Sequence, residues 1–427
     1  MNQIVIIADD LTGAADTGVQ FCRFYDDVVL RSFLHLPESR SLDAGPATAI
    51  YTNSRSLEKK AAGNRLRSVA CRLKKFELPW IYKKIDSCLR GNPGAETEAL
   101  LDELAYDVSF IAPAFPEMGR TTVDGTHLVH GIPLGQTEIS RDPVTPVTES
   151  GLRKIIESQC RYPVGHIDLN FLDGEETVIR DEIEGQIRAG TRHIVFDATS
   201  RKHLDRIAHL SHSTNYKILP VGSAGLAAGF DSFWSPKIKL KKNHHRFVVD
   251  GRHLIVSGTN SAVTARQISA LVEKYPHERI ALDPCMLIDQ ATTMDVSDKV
   301  AKVRRKLSTQ HTIITINSSE HCAAAPQPQN RQPSAHLIVK GLGRFLSTGL
   351  ADIRPAVLFL TGGDTADAII TAIGAKGIRL VGELLTGVVQ GRLMGGLMNG
   401  LPVVTKAGAF GAEDTLVVLH EMLIKKS

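Results

Sequence analysis

Short apolar runs separated by amphipathic stretches organise the first half of the chain: Ile4 to Ala8, Ala49 to Thr52, Trp80 to Ile85, Val108 to Ala112, His193 to Asp197 and Leu219 to Gly222. Runs of this length without polar alternation predict strands buried on both faces. The stretches between them, such as Leu57 to Phe76 and Ala95 to Leu104, are compatible with helices. Alternation of the two predicts an α/β fold with mainly parallel sheets flanked by helices. After Phe230 the texture changes: Ser232 to Asp250 carries Pro236, a lysine-rich stretch and two adjacent histidines, before His253 to Ser257 restarts the pattern. Strands are predicted again at Leu254 to Val256, Thr312 to Thr315, Val357 to Leu360 and Pro402 to Lys406. His321 to Ser334, rich in Ala, Pro, Gln and Asn, reads as an exposed loop. A chain of 427 residues exceeds what one core organises, so two domains are expected, residues 1–235 and 236–427.

Bulk composition narrows the function. A formal net charge of +4, with no basic block longer than Lys239 to His245, leaves little electrostatic footprint for nucleic acid. No apolar stretch approaches the roughly 20 residues that span a bilayer, and the amino-terminal run lacks a signal-peptide pattern, so a cytoplasmic protein without membrane partners is expected. Cys22, Cys71, Cys88, Cys160, Cys285 and Cys322 show no Cys-x-x-Cys spacing, which speaks against zinc and for reduced thiols. Small anionic metabolites fit this balance better than polymers do.

Candidate chemistry in the first domain gathers where predicted strands end. Ile7 to Asp16 reads Ile-Ala-Asp-Asp-Leu-Thr-Gly-Ala-Ala-Asp. Adjacent Asp9 and Asp10 point in opposite directions on an extended strand end, so one is expected on a ligand and the other in the turn, with Thr12 or Gly13 opening a helix. Simple N-capping would also explain an aspartate there. Arg55 follows the second strand and offers bidentate pairing with a carboxylate. Tyr82 to Asn92 is the densest polar cluster in the chain. Lys83, Lys84, Ile85, Asp86, Ser87 and Arg90 together can bind a polyhydroxy acid: cations for its carboxylate, Asp86 as hydroxyl acceptor, Ser87 as donor. Pro113 to Thr126, with Arg120, reads as a loop able to cover a substrate or as a Pro-stiffened connection. His127 and His130 have no third metal ligand near them in sequence.

In the second half, three small or glycine-containing turns follow strands: Ser257-Gly258-Thr259, Gly362-Gly363-Asp364-Thr365 and the stretch around Gly408. Ligands of open α/β sheets sit beyond the carboxyl ends of strands, where these turns fall. Thr365 can cap a helix whose free N–H groups face an anion, although glycine after a strand is also ordinary tight-turn chemistry. Neither a Walker-type loop nor a dinucleotide fingerprint is present. A nucleotide site of another kind, cradling phosphate, is the expectation.

Several of these motifs carry a resemblance. Ile-Ala-Asp-Asp-Leu-Thr-Gly-Ala-Ala-Asp, Lys-Lys-Ile-Asp-Ser-Cys-Leu-Arg-Gly-Asn, Ala-Pro-Ala-Phe-Pro-Glu-Met-Gly-Arg-Thr and Gly-Gly-Asp-Thr, in that order, resemble the four-carbon acid sugar kinase family (DUF1537) over almost the whole chain. Leu11 stands where phenylalanine is more usual. The resemblance implies a first domain that binds a tetronate-type sugar acid, a second that binds ATP with Mg2+, an active site in the cleft between them, and transfer of the γ-phosphate to a terminal hydroxyl. Carried over, the acid site falls on Asp9, Arg55 and Lys83 to Asp86, and the ATP site on Ser257, Gly362 to Thr365 and Gly408. Asp86 or Asp9 is expected to orient and deprotonate the hydroxyl, and Asp364 to contact magnesium, whose ligands stay otherwise unassigned. Asp16-Thr17-Gly18-Val19-Gln20 looks closest to the D-threonate branch, with D-erythronate and 3-oxo-tetronate as alternatives, and a homodimer is expected. Two other classes compete: an NAD-dependent sugar-acid dehydrogenase, which needs the missing fingerprint, and a non-catalytic sugar-acid sensor, which needs a partner-binding segment.

Overall fold

A computed structural model describes residues 3–36, 46–76, 80–142, 144–230, 249–259, 261–288, 293–317 and 331–424. The chain divides into two compact units, Met1–Lys242 and Asn243–Ser427. The position expected for the boundary, 235/236, and the lysine-rich stretch lie outside the described residues. So does most of His321 to Ser334, but its end is helical rather than a loop: the helix Arg331–Gly349 begins there.

Unit one carries eight parallel strands: β1 (Ile4–Ala8), β2 (Val28–Ser32), β3 (Ala47–Tyr51), β4 (Trp80–Lys84), β5 (Val108–Ala112) and, after an inserted ribbon, β9 (Val164–Ile167), β10 (His193–Phe196) and β11 (Ile218–Gly222). Their spatial order is β2-β3-β1-β4-β11-β5-β10-β9, parallel throughout. All five residues of β1, of β3 and of β5 are buried, as continuous apolar runs require when helices cover both faces. The helices Lys59–Leu73 and Pro93–Glu103 supply Leu66, Val69, Leu73, Leu100 and Leu101 to a core with Val5, Ile7 and Ile81. The chain moves to one side of β1 for β2 and β3 and to the other for β4, so the carboxyl ends of β3, β1 and β4 form the switch point where such sheets bind ligands.

The ribbon corrects a prediction. Residues from Arg120 onward form β6 (Arg120–Val123), β7 (Thr126–Val129) and β8 (Ile132–Pro133), an antiparallel three-stranded sheet, where a loop was expected. Its turns need left-handed backbone at Asp124, Gly125, His130 and Gly131, and the Thr-Thr-Val and Thr-His-Leu-Val stretches are too short and too polar to stand out as strands.

Unit two carries β12 (His253–Ser257), β13 (Glu278–Leu282), β14 (Thr312–Ile316), β15 (Val357–Thr361), β16 (Gly377–Leu385), β17 (Val388–Met394) and β18 (Pro402–Lys406). Their order is β13-β14-β12-β15-β18-β17-β16; the first five are parallel, and β17 pairs antiparallel with both β18 and β16. The switch point lies between β12 and β15. Cys22, Cys71, Cys88 and Cys160 are free thiols, but Cys285 is disulfide-bonded, which corrects the expectation of a fully reduced chain. Among the described residues, no helix is long and apolar enough to cross a membrane.

Candidate active site

Three strand ends of unit one bring together a compact set of charges. Arg55, on the turn after β3, reaches Asp9 at the end of β1 with two bonds: Nε donates to Oδ2 at 2.6 Å and Nη2 to Oδ1 at 3.1 Å. The same Nη2 lies 2.9 Å from Oδ1 of Asp10 and 3.6 Å from Oδ1 of Asp86. One guanidinium therefore serves three carboxylates that would otherwise repel. Asp86, in the turn after β4, is gripped by Arg90 through Nε at 2.9 Å and Nη2 at 3.0 Å and accepts the Cys88 N–H at 3.1 Å. Burial alone would raise the pKa of Asp86, but Arg90, Arg55 and Lys84 outweigh it and hold the carboxyl well below its ordinary value. Asp9 is likewise lowered, burial again being overcome by Arg55, Lys83 and Lys84. Both are ionised at neutral pH.

Asp10 takes the turn. Its side chain caps the helix Leu11–Gly18 by accepting the Gly13 N–H at 2.8 Å, so the helix starts at Leu11 and not at Thr12 or Gly13. Gly13 is required by space: a Cβ there would meet Asp10 Oδ1 at 2.6 Å and Lys84 Nζ at 2.9 Å. Lys84 thus aims its ammonium at the acidic group, is only 4% exposed, and among the described residues has no hydrogen bond or ion pair from that ammonium. Lys83 faces the other way, as strand alternation demands. Its Nζ pairs with Glu96 at 2.7 Å in the interior, and Ile85 packs into the core, so neither side chain joins the cluster. Ser87 is buried, and its carbonyl lies 2.7 Å from Nε2 of His127. His127, on β7, also meets Thr122 at 3.0 Å and holds the Asp86–Arg90 turn from outside, a structural part that the sequence reading left without a role. Leu89 and Asn53, both non-glycine, adopt left-handed backbone in the two turns that carry these charges.

In unit two the three turns converge. A Cβ on Gly258 would lie 2.5 Å from Thr365 Oγ1, one on Gly408 would lie 2.6 Å from Thr259 Oγ1, and one on Gly362 would meet both threonines at 3.4–3.6 Å. Close approach therefore demands glycine at Gly258 and Gly408 for the turns after β12 and β18 to meet their neighbours. Gly362 also has φ +99°. It occupies the N-cap position of the helix Gly363–Ala372, so Thr365 lies inside the first turn and does not cap it; Asp364 is the acidic residue of that turn. Among the described residues, no side chain caps this helix or the helix Ala262–Lys274, whose N-cap is Ser261. Two helices thus open on the glycine turns with backbone donors that no cap engages. Ser257, at the end of β12, is buried beside them.

Lys406, read from sequence only as a strand end, shapes the third turn. Its Nζ donates to the carbonyls of Ala407 at 2.8 Å and Phe410 at 3.0 Å, and burial lowers its pKa to about 8. Gln267 donates to the carbonyls of Phe410 and Ala412 from the opposite side.

Two family models match this chain. Residues 4–230 match the family model described as a sugar-binding N-terminal domain, and residues 254–416 match a nucleotide-binding C-terminal domain. A D-erythronate kinase of Heliobacterium modesticaldum is 30% identical over 100% of this chain and 98% of its own. A D-threonate kinase of Salmonella typhimurium is 30% identical over 97% of this chain and 96% of its own. A solved structure from Salmonella typhimurium LT2 shares the fold with a TM-score of 0.80 at 23% identity, covering 99% of this chain and 100% of that one.

Proposed function

Because this chain belongs to the four-carbon acid sugar kinase family, we propose that it transfers the γ-phosphate of ATP to the terminal hydroxyl of D-threonate, giving 4-phospho-D-threonate. The enzyme is a phosphotransferase that acts on a sugar acid, as its named relatives are. Residues 1–235 hold the acid and residues 236–427 the nucleotide.

Lys84 is the observation that carries the acid half. A buried cation that makes no hydrogen bond or ion pair of its own among the described residues, close to carboxylates that arginines already pair with, suits an incoming carboxylate. Asp9 and Asp86 keep acceptor capacity toward the substrate's hydroxyls, and Ser87 lies in the same turn. With its pKa held low, Asp86 aligns the attacking hydroxyl as an ionised acceptor and takes the proton late, as bonding to phosphorus develops. Arg55 and Arg90 position these carboxylates. For the nucleotide half, Ser257, Gly258, Thr259, Gly362, Gly363, Thr365 and Gly408 offer backbone N–H groups and hydroxyls to the phosphates. Asp364, the acidic residue of the first helical turn, would be a protein ligand for Mg2+ beside the phosphate oxygens, and the ion would neutralise charge on the transferring group.

D-Erythronate is the second reading, favoured by the relative of that name that spans the full chain. ADP release from ATP and Mg2+ should be measured with D-threonate, L-threonate, D-erythronate, L-erythronate, 3-oxo-tetronate and D-glycerate. The highest kcat/KM is expected with D-threonate. A higher value with another four-carbon acid reassigns the substrate, and no turnover with any of them overturns the proposal.

A further inference from the structure

Four histidines meet at the end of unit two opposite the glycine turns. His253 opens β12, His277 immediately precedes β13, and His311 immediately precedes β14. Register aligns them: Thr312 pairs with both Leu254 and Glu278, so the residue before each stands in one row across three adjacent strands. His420, from the helix Thr415–Leu423, closes the group from above the row. Ring centroids of His253 and His311 lie 4.0 Å apart, those of His253 and His277 4.9 Å, and those of His253 and His420 5.2 Å. The glycine turn begins at Ser257, a strand's length away, on the order of 13 Å, so the cluster belongs to neither half of the kinase site.

Tautomers narrow what the cluster can do. Nδ1 of His277 lies 2.9 Å from the Tyr275 carbonyl and must donate to it, which leaves the neutral ring's lone pair on Nε2. A backbone carbonyl that fixes the tautomer in this way is the usual outer-shell support of a metal-binding imidazole. Nε2 of His253 is 2.8 Å from that lone pair. Among the described residues, Nδ1 of His253 and Nδ1 of His420 are both buried without a hydrogen-bond partner. His311 is committed elsewhere, its Nδ1 accepting the His253 N–H at 3.3 Å. Each of His253, His277 and His420 offers one ring nitrogen within 4.8 Å of the others. Metal–nitrogen bonds of about 2.0–2.1 Å in tetrahedral geometry separate donors by roughly 3.3 Å, so changes of at most about 1.5 Å in their separations bring the three into place.

We infer that His253, His277 and His420 form a site for a borderline divalent cation, Zn2+ foremost, separate from the Mg2+ that accompanies ATP. Three neutral imidazoles suit Zn2+, Co2+, Ni2+ or Cu2+ and offer nothing to a hard oxygen-seeking ion. The site ties the amino ends of β12 and β13 to the carboxy-terminal helix, so its occupation stabilises unit two.

The test is titration of the full chain, stripped with chelator and free of ATP, with Zn2+ in competition with a chromophoric chelator, and with Co2+ followed by visible absorption. One equivalent per chain with nitrogen-type Co2+ bands is expected, unaffected by millimolar Mg2+. His277→Ala and His420→Ala should weaken binding at least tenfold while ATP affinity and circular dichroism stay at wild-type values. Should either variant lose its fold, His277→Gln, which keeps a polar side chain at a half-buried position, serves as the readout. No binding by the wild type, or binding that the folded variants retain, overturns the inference.

Discussion

Both units present candidate ligand sites at the carboxyl ends of the strands around a switch point, yet they build them from opposite materials. In unit one, fixed charges meet: Asp9, Asp10 and Asp86 are paired with Arg55 and Arg90, and the Lys84 ammonium makes no hydrogen bond or ion pair among the described residues. In unit two, side chains withdraw: Gly258, Gly362 and Gly408 lie in three converging turns, and among the described residues two helices open without a side-chain cap. The contrast matches the ligands proposed. A small acid with several hydroxyls is distinguished by directional acceptors and a cation, whereas phosphates are held by many backbone donors that need close approach.

Predictions follow from breaking each half in its own currency. The largest effect is expected for Arg55→Met, which leaves three carboxylates without their shared cation; urea unfolding should show a loss of about 3–5 kcal/mol, and a loss below about 1 kcal/mol would mean that the carboxylates reorganise or protonate. Next comes a pH effect in unit two. Lys406 has a folded pKa of about 8 against 10.5 for the free side chain, so between those values the unfolded chain binds more protons and stability rises with pH. Thermal unfolding of the wild type should therefore gain, relative to Lys406→Met, up to about 3 kcal/mol from pH 8 to 10.5; parallel curves would contradict the assignment. Asp86→Asn should lower turnover about a hundredfold, measured by ADP release, with ATP affinity unchanged. Gly408→Val, whose side chain collides with Thr259, should raise the KM for ATP by about tenfold and leave that for the acid within twofold. Equal losses for both substrates would blur the comparison between the units.

How much of this was readable from sequence follows the same division. Strands such as β1, β5 and β18 were legible because burial on both faces leaves continuous apolar runs, and the glycine turns were legible because they follow those runs directly. β16 and β17 were not, since a hairpin with partly exposed positions mixes polar with apolar residues, as Arg379, Glu383 and Arg392 do here. The charged cluster was half legible. Its members were named, but Lys83 and Lys84 were placed together although alternation along β4 sends them to opposite faces, and nothing in sequence tells that Arg55 is occupied by three partners. The histidine row was invisible, because its members come from three strand starts and a helix that only the sheet register aligns.

Calorimetric titration of ATP and of D-threonate into two variants, Lys84→Met and Gly362→Val, tests the central claim most directly. The account predicts that Lys84→Met binds ATP normally and loses the acid, while Gly362→Val binds the acid normally and loses ATP. If either variant keeps the ligand assigned to it, or if both lose the same one, the division of the two halves is contradicted.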